Sequence, residues 1–313
     1  MLGAILTTLT DLYQYRDIGV GIQVDSSFIA IIVADFGGNV EHTRIIDGNF
    51  RGAAPARVLA EAGRALLDAI ADCDCRQRLA GVTLALPGLV NSKDGKLVSS
   101  TNLGWHNIYP APMLGLADIP VWVANDAKMG AVAEWNLSGD PSFVYLTFGS
   151  GIGGAIIQDG KLYRGERGWD CEFGHMVVDP RGPECQCGSR GCLEKYAAKR
   201  AILKAAGLSP KTGTIEEVIR LFEQGDPQAK AAIENGSLAV AMTLANILTV
   251  VDVRNVVIDG EMSAFEPFSR EMVTTFLNNQ LLLGHEVPVT HREGMAGEFG
   301  PALGGAMLAI HGY

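Results

Sequence analysis

The chain of 313 residues is long enough for about two domains, and it can bury a core without disulfide staples. Hydrophobic residues make up 48% of it and charged residues 19%, a balance that excludes a disordered protein. Its 35 acidic residues outnumber 25 basic ones, and the net charge of −10 disfavours nucleic acid and anionic membranes. We therefore expect this chain to bind no nucleic acid directly and no membrane.

Targeting signals are not expected either. Residues 1–17 form a leader that lacks a basic region, which is unlike a signal peptide. The most apolar stretch, residues 238–251, is too short to span a bilayer and is predicted to be a buried core helix. Three of the six cysteines fall within eight residues, which favours a metal site in a reducing compartment. These features predict a cytoplasmic protein.

Hydrophobic patterning predicts two α/β lobes with a cleft between them. The smaller lobe, residues 18–124, has predicted strands at residues 18–24, 28–34, 40–46, 81–86 and 119–123 and a helix at residues 55–71. The larger lobe, residues 125–301, has predicted strands at residues 143–148, 152–158 and 256–258 and helices at residues 194–206, 215–223, 227–251 and 265–282. A C-terminal helix at residues 302–313 is assigned to the smaller lobe.

The sharpest local signal is the spacing C-x-C-x4-C of Cys185, Cys187 and Cys192, with His175 ten residues upstream. Three thiolates and one imidazole form a closed tetrahedral set that suits structural Zn²⁺, which would brace the loop of residues 175–192. The alternative is a group of buried thiols without a metal. For Cys73 and Cys75, at a predicted helix end, ordinary free thiols are the better interpretation.

Glu172 and Glu194 flank this loop, and a metal would give both carboxylates a rigid support for holding a polyhydroxylated ligand. As an alternative, both are solvated surface charges, with Glu194 favoured by the dipole of a helix that begins there.

Several motifs together resemble the ROK family of sugar kinases and sugar-responsive repressors. They occur in the family's order along almost the whole chain from residue 18. The matching pieces are Pro87-Gly88-Leu89-Val90, Asn102-Leu103-Gly104-Trp105, Asn125-Asp126-Ala127, Thr147 to Gly154, Glu172-Phe173-Gly174-His175, and the cysteine cluster followed by Leu193-Glu194.

The resemblance implies a two-lobed actin-like ATPase fold, related to ribonuclease H, with a sugar in the cleft. It implies zinc ligation by His175, Cys185, Cys187 and Cys192. It also implies a small-molecule sugar as partner and a homo-oligomer, a dimer or tetramer. The sugar contacts would be Asn102, Asn125, Asp126, Glu172, His175 and Glu194.

In a kinase of this family, Asp126 would be the general base that accepts the proton of the attacking sugar hydroxyl. ATP and Mg²⁺ would be the cofactors, with backbone N–H groups of a glycine-rich loop close to phosphate. The loop residues are Gly149, Ser150, Gly151 and Gly153. The alternatives are a plain β-hairpin for the loop and a helix N-cap for Asp126.

The first phosphate loop departs from the kinase pattern Asp-x-Gly-Gly-Thr. Gln23 stands at the Asp position, and Asp25, Ser26 and Ser27 stand at Gly-Gly-Thr. A neutral amide cannot replace a carboxylate that organises Mg²⁺, and a carboxylate at residue 25 repels phosphate. The nucleotide-side turn Asp259-Gly260-Glu261 adds bulk and negative charge where the family has glycines.

Two further departures lie next to Glu172 and directly after Asn125-Asp126-Ala127. Trp169-Asp170-Cys171 replaces small residues before Glu172, and Lys128 stands where kinases often have Asn.

Three hypotheses follow from this pattern. The first is the sugar-sensing domain of a transcriptional regulator without phosphotransfer; residues 1–16 are too few for a winged helix-turn-helix module. The second is an ATP-dependent sugar kinase of the glucokinase or N-acetylhexosamine kinase type, with Asp126 as its base. The third is a scaffold that binds neither sugar nor ATP.

Overall fold

The computed structural model describes residues 18–311 except residues 283, 285 and 287, and the chain forms two compact units. The first unit runs to Gly139 and includes Arg164–Asp170 and the segment from Glu298 onward. The second unit contains Asp140–Tyr163 and Cys171–Gly297. The expected leader, residues 1–17, and residues 312–313 of the expected C-terminal helix lie outside the described residues.

The first unit is built on a five-stranded mixed sheet. In spatial order its strands are β3 (Val40–Asp47), β2 (Phe28–Asp35), β1 (Ile18–Val24), β4 (Leu79–Leu86) and β8 (Val121–Asn125). The first three strands pair antiparallel, whereas β1, β4 and β8 run parallel. Its helices are α1 (Pro55–Asp72), α2 (Asp126–Ser138) and α8 (Gly300–His311). The strands and helices predicted for this region are thus present, with ends that differ by a few residues.

Strand β1 is buried on both faces because its residues alternate between two helical layers. Ile18, Val20, Ile22 and Val24 belong to the same apolar cluster as the buried side of α1. Gly21 lies on the opposite face, where a Cβ atom would collide with the carbonyl oxygen of Ala302 in α8. This close approach places Gln23 on the face of the sheet that α8 covers.

Helix α2 belongs to the first unit, whereas the sequence analysis placed the lobe boundary before it, at residue 125. The reason is packing between helices. Gly304 of α8 lies so close to the carbonyl of Met129 that a Cβ atom would clash with it. Residues 164–170 also join the first unit, although they were expected in the larger lobe.

A small antiparallel sheet of the first unit was not anticipated from the sequence. It consists of β5 (Leu89–Asn91), β6 (Lys96–Ser100) and β7 (Trp105–Ile108). These strands are too short for a clear alternation. The matching pieces Pro87-Gly88-Leu89-Val90 and Asn102-Leu103-Gly104-Trp105 lead into β5 and β7.

The second unit repeats the arrangement of the first around another mixed sheet. In spatial order its strands are β11 (Lys161–Leu162), β10 (Ile152–Gln158), β9 (Phe143–Phe148), β12 (Asn255–Gly260) and β13 (Thr290–Glu293). Its helices are α3 (Glu194–Ala197), α4 (Lys199–Ala205), α5 (Ile215–Glu223), α6 (Pro227–Val251) and α7 (Glu266–Gln280). Strands β9, β12 and β13 are parallel, and β9, β10 and β11 are antiparallel.

Helix α6 has the length and apolar composition of a membrane span. Most of its apolar window is buried, and residues such as Val240 and Leu244 lie in the core of the second unit. This agrees with the expected core helix at residues 238–251.

Two local expectations are wrong. The single helix expected at residues 194–206 is broken at Ala198, whose backbone is extended, and the Lys199 N–H donates to Gly149 O at 3.3 Å. Cys73 and Cys75 form a disulfide rather than free thiols. Their Cα atoms come within 5.2 Å because α1 ends at Asp72 and Asp74 adopts a left-handed conformation.

Candidate functional site: a Cys/His cluster and two loops

The metal candidates of the second unit lie together. One ligand atom each of His175, Cys185, Cys187 and Cys192 falls within 4.8 Å of all the others. The Nδ1 atom of His175 is 3.8 Å from Cys185 Sγ, and the sulfur atoms of Cys187 and Cys192 are 3.6 Å apart. This arrangement offers one nitrogen and three sulfur ligands to a tetrahedral cation.

The loop that carries the cysteines turns through glycine. Gly191 has φ +66°, and a Cβ atom there would collide with the carbonyl oxygen of Asp179. The N–H of Val178 donates to Gly191 O at 2.9 Å, so this segment is held by backbone contacts. A residue other than glycine would push the loop away from its support.

The chemistry of the donor set fits a divalent cation. Burial and the neighbouring sulfur atoms raise the pKa of Cys192 to about 12, so without a cation this thiol stays protonated at neutral pH. A divalent cation reverses that preference because it stabilises thiolates directly.

Glu194, at the start of α3, lies beside the cluster. Its Oε1 atom is 3.4 Å from Cys185 Sγ, and its Oε2 atom would be 3.6 Å from a Cβ atom at Gly151. Glu194 therefore lies between the cluster and the glycine-rich turn. Glu172 and His175 belong to the same unit, at the short 3-10 helix Phe173–His175.

The glycine-rich segment is the connection between β9 and β10. Gly149 and Gly151 form the turn, in which the Gly149 N–H donates to Gly151 O at 2.9 Å, and Ser150 is exposed at its tip. Gly153 lies inside β10 opposite Thr147. Gly154 is required by packing, because a Cβ atom there would collide with Phe173.

In the first unit, Asn125 and Asp126 lie where β8 ends and α2 begins. Asn125 is the N-cap: its side-chain oxygen accepts from Lys128 N at 3.0 Å, and its amide donates to Gly88 O at 3.1 Å. The cap is therefore Asn125 and not Asp126. Asp126 accepts from Ala127 N at 2.8 Å.

The carboxyl of Asp126 holds its proton more strongly than an ordinary aspartic acid does. Burial raises its pKa to about 6, the Ala127 N–H lowers it, and repulsion from Asp25 raises it further. Asp25 therefore acts electrostatically on Asp126 within the first unit.

In the first phosphate loop, hydrogen-bond donors of Ser26 and Ser27 are already bonded to the side chain of Asp25. The Oδ1 atom of Asp25 accepts from Ser27 N at 3.1 Å, Ser27 Oγ at 3.0 Å and Ser26 Oγ at 3.1 Å. Gln23 is 8% exposed and donates to Glu298 O at 3.3 Å, while its Oε1 atom has no hydrogen-bond partner among the described residues.

Asp259, at the nucleotide-side turn, has a structural role that the sequence analysis did not foresee. The Tyr145 hydroxyl donates to Asp259 Oδ2 at 2.7 Å, and Gly260 N donates to Oδ1 at 2.7 Å. This carboxylate is buried in the second unit and bonded at both oxygens. Its negative charge is held in place by these two hydrogen bonds.

Lys128 and Asp170 form an ion pair in the first unit that the sequence analysis did not predict. Lys128 Nζ donates to Asp170 Oδ2 at 2.8 Å and to Gly168 O at 2.7 Å, with side-chain exposures of 10% for Lys128 and 7% for Asp170. Burial raises the pKa of Asp170, but Lys128 and the Gly165 N–H outweigh it and lower the pKa below its ordinary value. Both residues depart from the kinase pattern with opposite charges, which is the signal that could have found them.

Asn102 lies in the turn between β6 and β7, and it is half-buried. The turn is held to the rest of the first unit by Gly52 N, which donates to Leu103 O at 2.9 Å, and by the Trp105 indole, which donates to Ala53 O at 2.8 Å.

Comparison with known sequences bears out the resemblance. The ROK family profile matches residues 20–311. The xylose repressor of Bacillus subtilis is 30% identical over 240 residues, which are 74% of this chain and 61% of the repressor. The N-acetylmannosamine kinase of Escherichia fergusonii is 32% identical over 229 residues, which are 71% of this chain and 78% of the kinase. This chain thus matches less than two thirds of the repressor's length.

Solved structures agree with the fold. The ROK hexokinase from Thermus thermophilus is 28% identical with a TM-score of 0.80, covering 94% of this chain and 98% of that one. A ROK family transcriptional regulator, a homologue of the Escherichia coli MLC protein, is 23% identical with a TM-score of 0.80, covering 94% of this chain and 78% of that one. The predicted actin-like ATPase fold is confirmed.

Proposed function

This chain belongs to the ROK family, which includes repressors and sugar kinases, and we propose that it is a sugar-sensing member without phosphotransfer activity. In this proposal it is the effector-binding part of a cytoplasmic regulator of carbohydrate metabolism and binds no DNA itself. A dimer or a tetramer is the proposed assembly, on the analogy of the family alone.

The observation that carries the proposal is the self-occupied first phosphate loop. A phosphate group would need the loop's N–H and O–H donors, and the Asp25 carboxylate already accepts from Ser26 and Ser27. A polyanion would also face the negative charge of Asp25. Gln23 brings no charge to hold Mg²⁺ or its waters.

The sugar side supports binding of a neutral ligand. Asn125 and Asp126 of the first unit match the family's sugar residues, and so do Glu172, His175 and Glu194 of the second. Asn102, in a turn braced by Leu103 and Trp105, is a further proposed contact. Each offers hydrogen-bonding atoms of the kind that recognise hydroxyl groups.

We assign Zn²⁺ to the cluster of His175, Cys185, Cys187 and Cys192, in a structural role. The Nδ1 atom of His175 faces Cys185, so a metal there would fix the tautomer of the ring and leave Nε2 for the sugar.

The test is a binding and turnover assay on the purified chain. Xylose, glucose, N-acetylglucosamine and N-acetylmannosamine are titrated calorimetrically, and each is then incubated with ATP and Mg²⁺. We expect at least one sugar to bind and no sugar phosphate to form. Turnover near 1 s⁻¹, the low end for kinases, would refute the sensor proposal. Binding of none of the four sugars would favour the scaffold alternative.

One observation favours a sugar kinase as the second candidate. A base works best when its pKa lies near the operating pH, and the pKa of Asp126 is raised to about 6. If sugar phosphate forms, Asp126→Asn should reduce the rate by about 10²- to 10⁴-fold. An unchanged rate would exclude Asp126 as the base, whereas the absence of any sugar phosphate would remove the kinase candidate.

A further inference from the structure

Trp169 is an exposed aromatic side chain on a firmly held loop. Its residue is 40% exposed, and it lies in the segment Arg164–Asp170, which packs within the first unit. The exposed part of this apolar ring contributes no burial free energy to the folded state. What distinguishes this one is how its backbone is held.

A single lysine holds the residues on both sides of Trp169. Lys128 Nζ donates to Gly168 O at 2.7 Å and to Asp170 Oδ2 at 2.8 Å. Asp170 Oδ2 also accepts from Gly165 N at 2.8 Å, which closes the loop on itself.

The loop is also seated on the small sheet. Gly168 has φ +74°, and a Cβ atom there would be 3.3 Å from Val90 O and 3.4 Å from Ser92 Oγ. A larger residue could not adopt this conformation so close to the sheet without strain. The Trp169 side chain therefore projects from a backbone that is held on both sides, so that little backbone freedom remains to be lost on binding.

Lys128 connects the loop that carries Trp169 to the residues proposed to bind sugar. Lys128 belongs to the first turn of α2, and the Asn125 side chain caps its backbone N–H. Asp126 lies two residues before it. The Lys128 side chain therefore spans from the Asn125-Asp126 corner to the backbone carbonyl of Gly168 and the side-chain carboxylate of Asp170, on either side of Trp169.

We infer that Trp169 contacts the bound sugar, stacking its ring on the apolar C–H face, and that Lys128 and Asp170 are the residues that position it. This rests on the proposed sugar-sensing function. An indole ring provides a flat apolar surface that complements a sugar ring. Arg167, whose guanidinium lies 5.8 Å from the ring centroid, covers part of the indole.

The experiment compares sugar affinity in three single variants by calorimetry. The probe is whichever of xylose, glucose, N-acetylglucosamine and N-acetylmannosamine binds the wild type most tightly. Trp169→Ala should weaken binding about three- to tenfold, and Trp169→Phe should stay within about twofold of the wild type. Trp122→Phe is the matched control, since Trp122 is 37% exposed in the same unit, and it should change nothing.

Two readouts separate contact from structure. Sugar should change the tryptophan emission of the wild type and of Trp122→Phe clearly more than that of Trp169→Phe, which keeps Trp105 beside the Asn102 turn. The double variant Lys128→Met with Asp170→Asn removes one positive and one negative charge together. Adding Trp169→Ala to it should weaken sugar binding no further, because Trp169 is no longer held in position.

The outcomes distinguish this inference from the function on which it rests. If the wild type binds a sugar and Trp169→Ala binds it equally well, the inference is refuted and the sensor proposal stands. If Trp169→Ala weakens binding just as much in the loosened variant, the positioning role of Lys128 is refuted. If the wild type binds none of the four sugars, both proposals fail.

Discussion

Replacing Lys128 by methionine should destabilise the first unit strongly, since it leaves a buried carboxylate without its cation. In the wild type, Asp170 Oδ2 accepts from Lys128 and Gly165, whereas Oδ1 has no partner among the described residues. Removing one partner of a buried ion pair costs about 3–5 kcal/mol. Lys128→Met should reduce the free energy of unfolding by that amount at pH 7.

Removing the unpaired charge of Asp170 as well should restore most of the lost stability. In Lys128→Met with Asp170→Asn, a neutral amide replaces the carboxylate, and its oxygen can still accept from Gly165. We expect the double variant to lie within about 1–2 kcal/mol of the wild type. Lys230→Met is the control, because Lys230 pairs with Glu234 on the surface and should change stability by less than about 0.5 kcal/mol.

The pH dependence of the single variant has a defined sign. In the wild type, Lys128 lowers the pKa of Asp170, so that stabilisation is present above the unfolded pKa and is lost as the pH falls through the folded value. Without Lys128, burial raises the pKa of Asp170 instead. The penalty in Lys128→Met should therefore be full at pH 7 and shrink toward pH 4, as the carboxyl takes up a proton.

Urea unfolding followed by tryptophan fluorescence measures these effects in the first unit, since all four tryptophans belong to it. The reasoning fails if Lys128→Met unfolds within 1 kcal/mol of the wild type. It also fails if the double variant is no more stable than the single one, or if the penalty is the same at pH 7 and pH 4.

Three further results are expected. Elemental analysis should find about one zinc per chain, lost in Cys187→Ser but kept in Cys171→Ser, and chelation under reducing conditions should lower the Tm. Gly188→Ala should cost about 1 kcal/mol for its left-handed backbone, and Gly191→Ala about 1–3 kcal/mol more for its clash; equal losses in urea unfolding would contradict this. Burial raises the pKa of Asp126 to about 6, so the folded state holds a proton that the unfolded state releases at lower pH. The free energy of unfolding of the wild type should therefore decrease as the pH rises from 4 to 6, and Asp126→Asn should lack that decrease.

The sequence predicted the features that depend on short-range patterns. The alternation of β1 and the spacing of the apolar residues of α1 each produced the expected element. The cluster of cysteines was predicted from their spacing. The structure brings their ligand atoms together as expected, because a tight turn places residues that are close in sequence next to one another.

Contacts between distant residues account for what was not predicted. The helix expected at residues 194–206 breaks because the Lys199 N–H bonds to Gly149, fifty positions away. Lys128 and Asp170 are separated by 42 positions. Each was noticed as an unusual residue, but only the structure joins them. The assignment of α2 to the first unit depends on its packing against α8, a helix near the far end of the chain.

The departures from the kinase pattern form a coherent set when their partners are considered. Asp25 is satisfied by Ser26 and Ser27, and Asp259 by Tyr145 and its own turn. Both carboxylates accept hydrogen bonds from the chain itself, and in the sensor proposal they do so where a nucleotide would need donors or space.

Gln23 is the informative exception. Its Nε2 atom donates to Glu298 O, and its buried Oε1 atom has no hydrogen-bond partner among the described residues. An amide at this position gives up the charge that Mg²⁺ requires without gaining a full set of hydrogen bonds. In the sensor proposal this position no longer has to hold a cation, and nucleotide binding is therefore the sharpest discriminator between sensor and kinase.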